Sequence, residues 1–390
     1  MDFREIRSCL PCDTHGGEIE KDVLLMTARL AAKVAAVAAL SMVVLGGCAR
    51  PDEPVEVEET APVAEEQVEE VVEPSRHPLT GFEVPEGSVS GPAIMAKIDH
   101  ENRPYVNLHR ADIVIQQLIP QNGTRYIAIF HSDVPDQIGY VRSFRPHDLY
   151  MASPFQGILA SSGMFALVVP FWEDTSDAGV TQYVWDYRTA EDRDLWSTVD
   201  KNYAMASSVL FAAAEAQAAN ATLPAPQQYF EYVSDPAEST AMTEGTPISN
   251  FTTYFSESAT NNYVTSVWNW NASTGLFEKT FINGDPVLVE SGEQLAVTNL
   301  VAISVEHDDF VGQPTARLLN GAGSAWVATG GNVVDEVDWQ GGALTEPIRL
   351  TKGGEPVTLA PGKTWFMIFP GDASTARTAA WGGPGSVSFE

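Results

Sequence analysis

Cysteine is scarce in this chain and confined to its amino-terminal part. The three cysteines, Cys9, Cys12 and Cys48, all lie within the first 48 of 390 residues. If the mature chain begins at Cys48, as argued below, no second cysteine remains in it. That excludes a disulfide framework, a thiol nucleophile and a cysteine-ligated zinc site.

The motifs of several familiar enzyme classes are also missing from the sequence. There is no Gly-x-Ser-x-Gly elbow, no His-Glu-x-x-His zinc helix, no Walker loop and no dinucleotide-binding glycine fingerprint. No cofactor and no metal site are predicted. The weak catalytic candidates are Asp99 and Asp112, since Asp99 paired with Asp112 or with Asp148 would supply two carboxylates for glycoside cleavage.

Two further polar strings have a chemical and a plainer interpretation. His307, Asp308 and Asp309 would suit a metal at a strand end, but three adjacent polar residues are more typical of an exposed turn. Ser161 and Ser162 would offer a nucleophile, but no histidine is placed beside them, and a strand-end turn is favoured.

Basic residues are few, and the chain is strongly acidic. It has 22 Lys and Arg against 52 Asp and Glu, a net charge of −30. Residues 1–76 hold 16 acidic and 7 basic residues, a net of −9, so −21 belongs to the rest. Such a body repels phosphate backbones, and no nucleic-acid partner is expected.

Long apolar runs are absent except for one near the amino terminus. After Met26 come Arg29 and Lys33, then an apolar run over residues 34–45, and then Cys48 behind two glycines. This order is that of a secretory signal peptide over residues 26–47, and the small residues before Cys48 resemble a bacterial lipobox. Cys48 would then be lipidated, and its acyl chains would hold the protein at the outer face of the membrane. An ordinary signal peptide or an uncleaved anchor is the alternative. If Met26 is the true start, residues 1–25 are not translated.

Residues 48–76 are predicted to be an acidic, disordered tether. Positions 52–73 carry ten acidic residues and no basic one, with many Val and Pro. Like charges repel, and so little apolar surface cannot offset the entropy of ordering. The segment is interpreted as a spacer between lipid and folded body.

The sequence IGYVRSFRP at residues 138–146 is the stretch around which the binding hypothesis is built. Arg142 and Arg145 flank a predicted strand end, and Pro146 suits the first turn of a helix over residues 146–153. The helix amino terminus and the arginines would together favour an anion. The interpretation in which the arginines pair with carboxylates such as Asp99 or Asp112 and brace the domain is favoured over the anion site.

Residues 77–234 are predicted to form an α+β domain. Strands are indicated at 93–99, 111–119, 124–131, 139–144 and 157–160, and an alanine-rich helix at 202–220. Five of the fifteen arginines, at positions 103, 110, 125, 142 and 145, fall within 43 residues of this part. In an acidic chain that clustering is the electrostatic anomaly.

Residues 247–370 are predicted to form a mainly β domain, a sandwich or barrel, after a linker at 235–246 and before a Gly/Ser/Ala-rich tail at 371–390. Period-two alternation indicates strands at 251–255, 263–270 and 276–282, and further strands follow at 297–305, 316–319, 325–328 and 365–369. Asn283 and Gly284 predict a tight hairpin turn. Five tryptophans in this part would fill the core or line a carbohydrate surface, and core packing is favoured (Trp268, Trp270, Trp326, Trp339 and Trp365).

The order of several short motifs resembles the YerB-type lipoprotein family. They are PLTG at 78–81, AIMAKID at 93–99, RP at 103–104, ADIV at 111–114, TR at 124–125 and IGYVRSFRP at 138–146. The resemblance implies a two-part extracytoplasmic lipoprotein without an assigned reaction. Departures from the family pattern lie at Gln116, Gln117, Gln121, Ser162 and Lys201.

These observations lead to two hypotheses of function. The first is a non-catalytic binding or regulatory module for a cell-wall component or an envelope protein, with Asp99, Arg125, Arg142, Ser143 and Arg145 as ligand-binding residues. The alternative is a wall-directed hydrolase of carbohydrate or peptide that uses Asp99 and a second acid.

Overall fold

The structure is a computed structural model that describes residues 75–100, 105–120, 123–163, 183–186, 193–198, 209–257, 261–310, 312–371 and 382–390. The predicted signal peptide, Cys48 and the tether as far as residue 74 lie outside the described residues. Of the helices in the described part, none has the length and apolar character needed to cross a membrane.

The described chain is mainly β with a few short helices, as predicted. The α-helices are α1 (Asp148–Ala152), α2 (Ala213–Ala219) and α3 (Thr240–Glu244). The strands are β1 (Ile94–Ile98), β2 (Ile113–Ile119), β3 (Gly123–Phe130), β4 (Ile138–Gly139), β5 (Ile158–Ser161), β6 (Tyr183–Asp186), β7 (Trp196–Thr198), β8 (Val209–Phe211), β9 (Glu231–Tyr232), β10 (Thr246–Pro247), β11 (Asn250–Tyr254), β12 (Thr265–Asn271), β13 (Leu276–Thr280), β14 (Ala296–Val297), β15 (Asn299–Val305), β16 (His307–Phe310), β17 (Gln313–Ala316), β18 (Ala322–Thr329), β19 (Asn332–Gln340), β20 (Arg349–Lys352), β21 (Glu355–Pro356), β22 (Thr358–Leu359), β23 (Thr364–Pro370) and β24 (Ser386–Phe389).

A mixed sheet of twelve strands forms the centre of the fold. Its order is β21-β20-β19-β18-β15-β23-β2-β3-β1-β5-β6, and β10 pairs with β19. β15, β23 and β2 are parallel, as are β1, β5 and β6, and β3 runs antiparallel between β2 and β1. Six strands therefore point in one direction, and their carboxyl ends meet at one edge. In open sheets of parallel strands, that edge is where ligands commonly bind.

Each face of this sheet is covered by a different layer. On one face lies a five-stranded antiparallel sheet in the order β14-β13-β12-β11-β24. Between the two sheets is an apolar core that includes Ile98, Val114, Trp268, Trp365 and Met367. This packing of sheet on sheet agrees with the predicted sandwich character.

The other face is covered by α1, the 3-10 helix Ser153–Phe155 and the segment that leads into β9. Its core includes Ile115, Ile127, Phe144, Leu149 and Phe366. Because side chains alternate along a strand, Lys97 and Asp99 share this face with Met95, while Ile98 points to the other one. The alternation therefore decides which polar residues meet beneath α1.

The described residues all fall within one compact unit, Val71–Glu390. β23 comes from the predicted second domain, yet it lies between β15 of that part and β2 of the first. The predicted linker contains the 3-10 helix Pro236–Glu238 and α3. Both predicted segments thus contribute strands to one sheet.

Most strand predictions are confirmed within one or two residues, but two predictions in the first part are wrong. The expected strand over 139–144 is reduced to β4 and isolated bridges at Gly139 and Val141. The expected alanine-rich helix over 202–220 covers only α2, because residues 209–211 form β8 and pair with β7 and β4. Residues 199–208 lie outside the described part. Alanine content favours helix, but the apolar Val209–Phe211 segment finds a strand partner instead.

In the second part, Gly284 adopts φ +88° in a turn after β13, where the hairpin turn was predicted. The strands that were not predicted from the sequence include β19, which forms a hairpin with β18, and the final strand β24. Trp268, Trp339 and Trp365 are at most 1% exposed, which confirms core packing. Trp270 and Trp326 are partly buried and pack on Phe277 and Phe369.

Candidate functional site

Four of the five predicted ligand-binding side chains converge at the carboxyl edge of the central sheet. Asp99 directly follows β1, and the Nε of Arg142 lies 2.7 Å from its Oδ2. The Nε of Arg125, on β3, lies 3.7 Å from Oδ1 of the same carboxylate. The side chains are only 9% exposed for Asp99, 12% for Arg125 and 20% for Arg142. One acid is therefore shared by two arginines in a largely desolvated place.

Arg145 completes this group, and Ser143 links it to Arg125. The Nη1 of Arg145 donates to the carbonyl oxygens of Phe144 (2.9 Å) and Ser143 (3.4 Å). The Nη1 of Arg125 donates to the same Ser143 carbonyl at 3.4 Å. Ser143 thus contributes its backbone oxygen. The residues Asp99, Arg125, Arg142 and Arg145 are called the arginine cluster below.

A buried ion pair lies next to the arginine cluster. Lys97 and Asp148 are both fully buried, and the Lys97 Nζ donates to Asp148 Oδ1 at 2.6 Å. The Gln117 amide donates to the same oxygen, and the Arg145 N–H donates to Oδ2 at 2.6 Å. Burial lowers the pKa of Lys97 to about 8, although the Asp148 charge opposes that shift.

The helix amino terminus plays a different part from the one predicted. α1 has only five residues, and its first residue, Asp148, accepts the Arg145 N–H that an anion would otherwise use. The expected anion site at this helix end is thus filled by the protein's own carboxylate. An anion at this edge would instead have to contact arginine side chains.

Counted over the described residues alone, positive charge exceeds negative charge around the cluster. Among the described residues, Lys97, Arg125, Arg142 and Arg145 meet only two carboxylates, Asp99 and Asp148, in this region.

Burial disfavours the excess positive charge at two of these arginines. It lowers the pKa of Arg125 to about 10, with Arg145 as the next largest cause, and it also lowers the pKa of Arg145. Within the described part of the chain, no carboxylate lies within ion-pair distance of the Arg145 guanidinium. A bound anion would stabilise these guanidinium groups, because an opposite charge favours their charged form.

Several buried polar atoms at this edge have no hydrogen-bond partner among the described residues. They include the Nε atoms of Arg125 and Arg145 and the hydroxyl of Ser162. The Ser162 N–H donates to the Arg142 carbonyl at 3.1 Å, so this residue borders the cluster. Buried polar groups are nearly always satisfied, so unpartnered ones in a group indicate a place for a ligand or water.

Asp112, the other catalytic candidate, is not near Asp99. Asp99 is at the level of Gln117 in the sheet register, five residues along β2 from Asp112, which is about 17 Å. Asp112 is fully buried and accepts hydrogen bonds from the N–H groups of His131 (2.7 Å) and Ser132 (2.8 Å). Burial raises the pKa of Asp112. Its geometry fits a cap on the turn after β3, because paired glycosidase carboxyls lie within about 10 Å.

The remaining candidates are also placed. Ser161 ends β5, and its hydroxyl accepts the Phe144 N–H at 3.1 Å and donates to the Gly163 carbonyl at 2.6 Å. This confirms a strand-end turn.

The three adjacent polar residues of β16 point to different partners. His307 is buried and donates from Nδ1 to the Val305 carbonyl at 2.9 Å, Asp308 pairs with Arg317, and Asp309 accepts the Gly312 N–H. Burial lowers the pKa of His307 to about 4. Among the described residues, these three do not come together as metal ligands.

Of the positions that depart from the family pattern, Gln121 and Lys201 lie outside the described residues. Gln117 bonds to Asp148, and the Gln116 Oε1 accepts the Trp365 indole N–H at 2.9 Å. An acid at position 117 would face the Asp148 carboxylate.

Lys97 was overlooked in the sequence analysis. The available signal was a lysine inside an otherwise apolar strand, at a position that alternation places in the core.

Two family models match the chain. Residues 79–201 match "Protein of unknown function (DUF3048) N-terminal domain", and residues 254–366 match its C-terminal domain. The chain belongs to the DUF3048 family. The resemblance to YerB expected from the motif order is thereby confirmed.

Two comparisons with a Bacillus subtilis protein agree with this assignment. The chain is 25% identical over 313 residues to the protein named "Putative lipoprotein YerB", covering 75% of this chain and 86% of the relative. The crystal structure of Bacillus subtilis YerB superposes with a TM-score of 0.63 at 20% identity, covering 80% of this chain and 99% of that one. At that identity the structural match supports the fold alone.

Proposed function

We propose that this DUF3048 protein is a lipid-anchored protein of the cell envelope, held at the outer face of the membrane through Cys48. Support comes from the signal-peptide pattern before Cys48, the acidic spacer behind it, and the lipoprotein name of the Bacillus subtilis relative. Acyl chains bind a bilayer through burial of their methylene groups, about 0.8 kcal/mol for each. Cys48→Ser should move the protein from the membrane fraction to the soluble one. Retention of the variant in the membrane fraction would contradict the anchor.

At that location, the protein acts as a non-catalytic binding module, and the arginine cluster is its ligand site. The observation that carries this proposal is the largely desolvated Arg145 guanidinium, which has no carboxylate within ion-pair distance among the described residues. The ligand is accordingly an anionic group of a wall component or of an envelope protein. Arg125, Arg142 and Arg145 hold the anion with their guanidinium groups, which suit carboxylate and phosphate oxygens.

The direct test compares two arginine variants in binding to purified, insoluble wall material. Arg145→Ala removes a cluster guanidinium that lacks a carboxylate partner among the described residues, and should reduce the bound fraction severalfold. Arg317→Ala is the matched control, because Arg317 is exposed and pairs with Glu306 and Asp308 on the β16–β17 hairpin. Equal binding by both variants, with both still folded, would refute the cluster as the site.

Raising the salt concentration adds a second criterion to the same assay. Binding through partly exposed charges weakens as salt screens them. Wall binding of the wild type should therefore fall as ionic strength rises. Salt-independent binding would contradict the arginine cluster as the ligand site.

The hydrolase alternative is tested in the same incubations by measuring released sugar or peptide fragments. It requires turnover by the wild type and loss of turnover in Asp99→Asn. The proposal of a binding module expects no fragment release by either protein.

A further inference from the structure

A second polar cluster lies on the opposite face of the central sheet, between it and the five-stranded sheet. Its centre is Lys279 on β13, whose alternation with Phe277 directs it into the core. Lys279 is 2% exposed, and its Nζ donates to the Ser266 hydroxyl at 2.5 Å. A lysine seldom occupies such a position without a carboxylate beside it.

Two indole rings form the walls around the Lys279 amine. Its Nζ lies 4.6 Å from the ring centroid of Trp268 and 4.9 Å from that of Trp365. The Trp268 N–H also donates to Ser266 Oγ, at 3.0 Å. The rings keep water away from the amine, while Ser266 fixes its position.

No described carboxylate lies within ion-pair distance of the Lys279 amine. The titratable groups near the Lys279 amine are His100, Tyr126 and Tyr105, of which His100 is affected electrostatically by Lys279. The Asp99 charge also acts on His100 and Tyr126. Burial lowers the pKa of Lys279 to about 7 and that of His100 to about 3. Near neutral pH a large share of the Lys279 amine is thus neutral, with a neutral imidazole nearby.

The surroundings offer oxygen atoms for a polar ligand. Thr253 lies opposite Ser266 in the register of β11 and β12, is fully buried, and has no hydrogen-bond partner for its hydroxyl among the described residues. Towards the solvent, the His100 ring lies 5.8 Å from the ring of Tyr263, which is 39% exposed.

We propose that Lys279 is a nucleophilic amine that forms an imine with a small hydroxyaldehyde. A desolvated lysine in an aromatic pocket is the usual setting of such amines. The ligand's hydroxyl would bond to the free Thr253 hydroxyl, and Ser266 would hold the amine. This site lies on the other face of the sheet from the arginine cluster, and the Asp99 charge acts on His100 between them.

The reaction balances without any redox partner. The nitrogen lone pair attacks the carbonyl carbon, a C–N bond forms, and the C=O π electrons move to oxygen. That oxygen takes a proton from the attacking nitrogen, with the Ser266 hydroxyl as the adjacent relay. Loss of the second nitrogen proton together with the new hydroxyl releases water and leaves the C=N bond.

The test traps the imine in the full-length protein with glycolaldehyde and sodium cyanoborohydride at pH 7. The hydride reduces the C=N bond, and peptide mass spectrometry then gives the labelled fraction of each lysine. Lys352 is the internal control, because it is partly exposed and pairs with Glu336. We expect Lys279 to label at least about tenfold faster than Lys352, because burial lowers the pKa of Lys279 to about 7 and leaves a larger share of its amine neutral at the working pH.

Two further measurements distinguish a reactive lysine from one that is merely exposed. The Lys279 rate should level off above pH 7, and unfolding in urea should abolish the difference in rate between Lys279 and Lys352. Labelling of Lys279 no faster than that of Lys352 in the folded protein would overturn the proposal. Because both lysines are measured in one wild-type molecule, the result does not depend on whether Lys279→Met folds.

Discussion

Asp99 partly neutralises the arginine cluster, because its carboxylate pairs with two of the arginines. It holds Arg142 at 2.7 Å and Arg125 at 3.7 Å. In a binding module its charge competes with the anionic ligand for the same guanidinium groups. In a hydrolase the same carboxylate would be indispensable.

Asp99→Asn is therefore predicted to tighten binding of anionic wall fragments, by about fivefold to tenfold for one partly screened charge. It should also lower the free energy of unfolding, because the positive charges of Arg125 and Arg142 would then repel each other without the Asp99 carboxylate between them. Affinity is measured by titration, with Asp133→Asn as the control, because Asp133 pairs with Arg110 elsewhere on the surface. Weaker binding by a folded Asp99→Asn variant would contradict the assignment of the arginines as the ligand-holding groups.

Lys279 gives the fold a predictable pH dependence. Its pKa is about 7 in the folded state against an ordinary value of 10.5, so between these values the unfolded chain binds more protons. The free energy of unfolding should then rise with pH from about 7 towards 10, by up to about 1.4 kcal/mol per pH unit from this group.

The measurement is urea unfolding at several pH values, for the wild type and for Lys279→Met. Between about pH 7 and 10, the free energy of unfolding of Lys279→Met should rise less steeply with pH than that of the wild type, by the contribution of about one proton. The contribution of Lys97, whose pKa is about 8, should remain in the variant. Identical slopes in the two proteins would show that the Lys279 amine stays charged in the folded state.

At the residue scale, the sequence was informative where neighbouring positions carried the signal. Arg142 and Arg145 lie three residues apart in the chain, and the structure pairs Arg142 with Asp99 and places the Arg145 guanidinium at the Ser143 carbonyl that Arg125 also contacts. The pair of Lys97 and Asp148 was not predicted, because 51 residues separate its members and only the packing of α1 on β1 brings them together. The buried position of Lys279 was not predicted for a similar reason, because the side chains around its amine come from strands far apart in the sequence, β12 and β23.

Among the elements, β5 depends on a close approach that only glycine allows. A Cβ at Gly157 would lie 2.1 Å from the carbonyl oxygen of Ala93, which precedes β1. β5 runs parallel to β1 and carries Ser161 and Ser162 to the edge of the cluster. Separation of these two strands would displace the border of the site.

Gly157→Ala is predicted to lower the free energy of unfolding by about 1–3 kcal/mol or more, as overpacking against backbone does. Gly123→Ala is the control, because its Cβ would meet nothing closer than Ile119 Cγ1 at 3.6 Å. That variant should change stability by less than about 1 kcal/mol. Chemical denaturation measures both, and equal stabilities would show that β1 and β5 can separate at little cost.

Strands were easier to predict than helices in this chain. Alternation or a buried apolar run marks β1, β2, β3, β11, β12 and β23 in the sequence, because each packs at least one face on a core. The helix around α2 was predicted to be too long, because the alanine content of this region favours helix when tertiary pairing is not considered. No local signal shows that β23 inserts between β15 and β2, which is a pairing between positions about 250 residues apart.

For the whole molecule, this insertion has a consequence for folding. Because β23 pairs with both β2 and β15, neither of the segments 77–234 and 247–370 holds all the strands that bury its core. We predict one cooperative unfolding transition for the full chain. Each segment expressed alone should lack a cooperative transition, as seen by near-UV circular dichroism and denaturant titration. A folded isolated segment would contradict this prediction.

The central claim is that the arginine cluster of this acidic molecule is a binding site for an anionic envelope component. The most direct measurement is thermal melting of the full chain with and without solubilised wall fragments, for the wild type, Arg142→Ala and the exposed-site control Arg349→Ala. Ligand binding to the folded state raises the melting temperature. We expect the fragments to raise the melting temperature of the wild type and of Arg349→Ala, and to raise that of a folded Arg142→Ala variant much less. A shift of equal size in all three proteins, or no shift in the wild type, would contradict it.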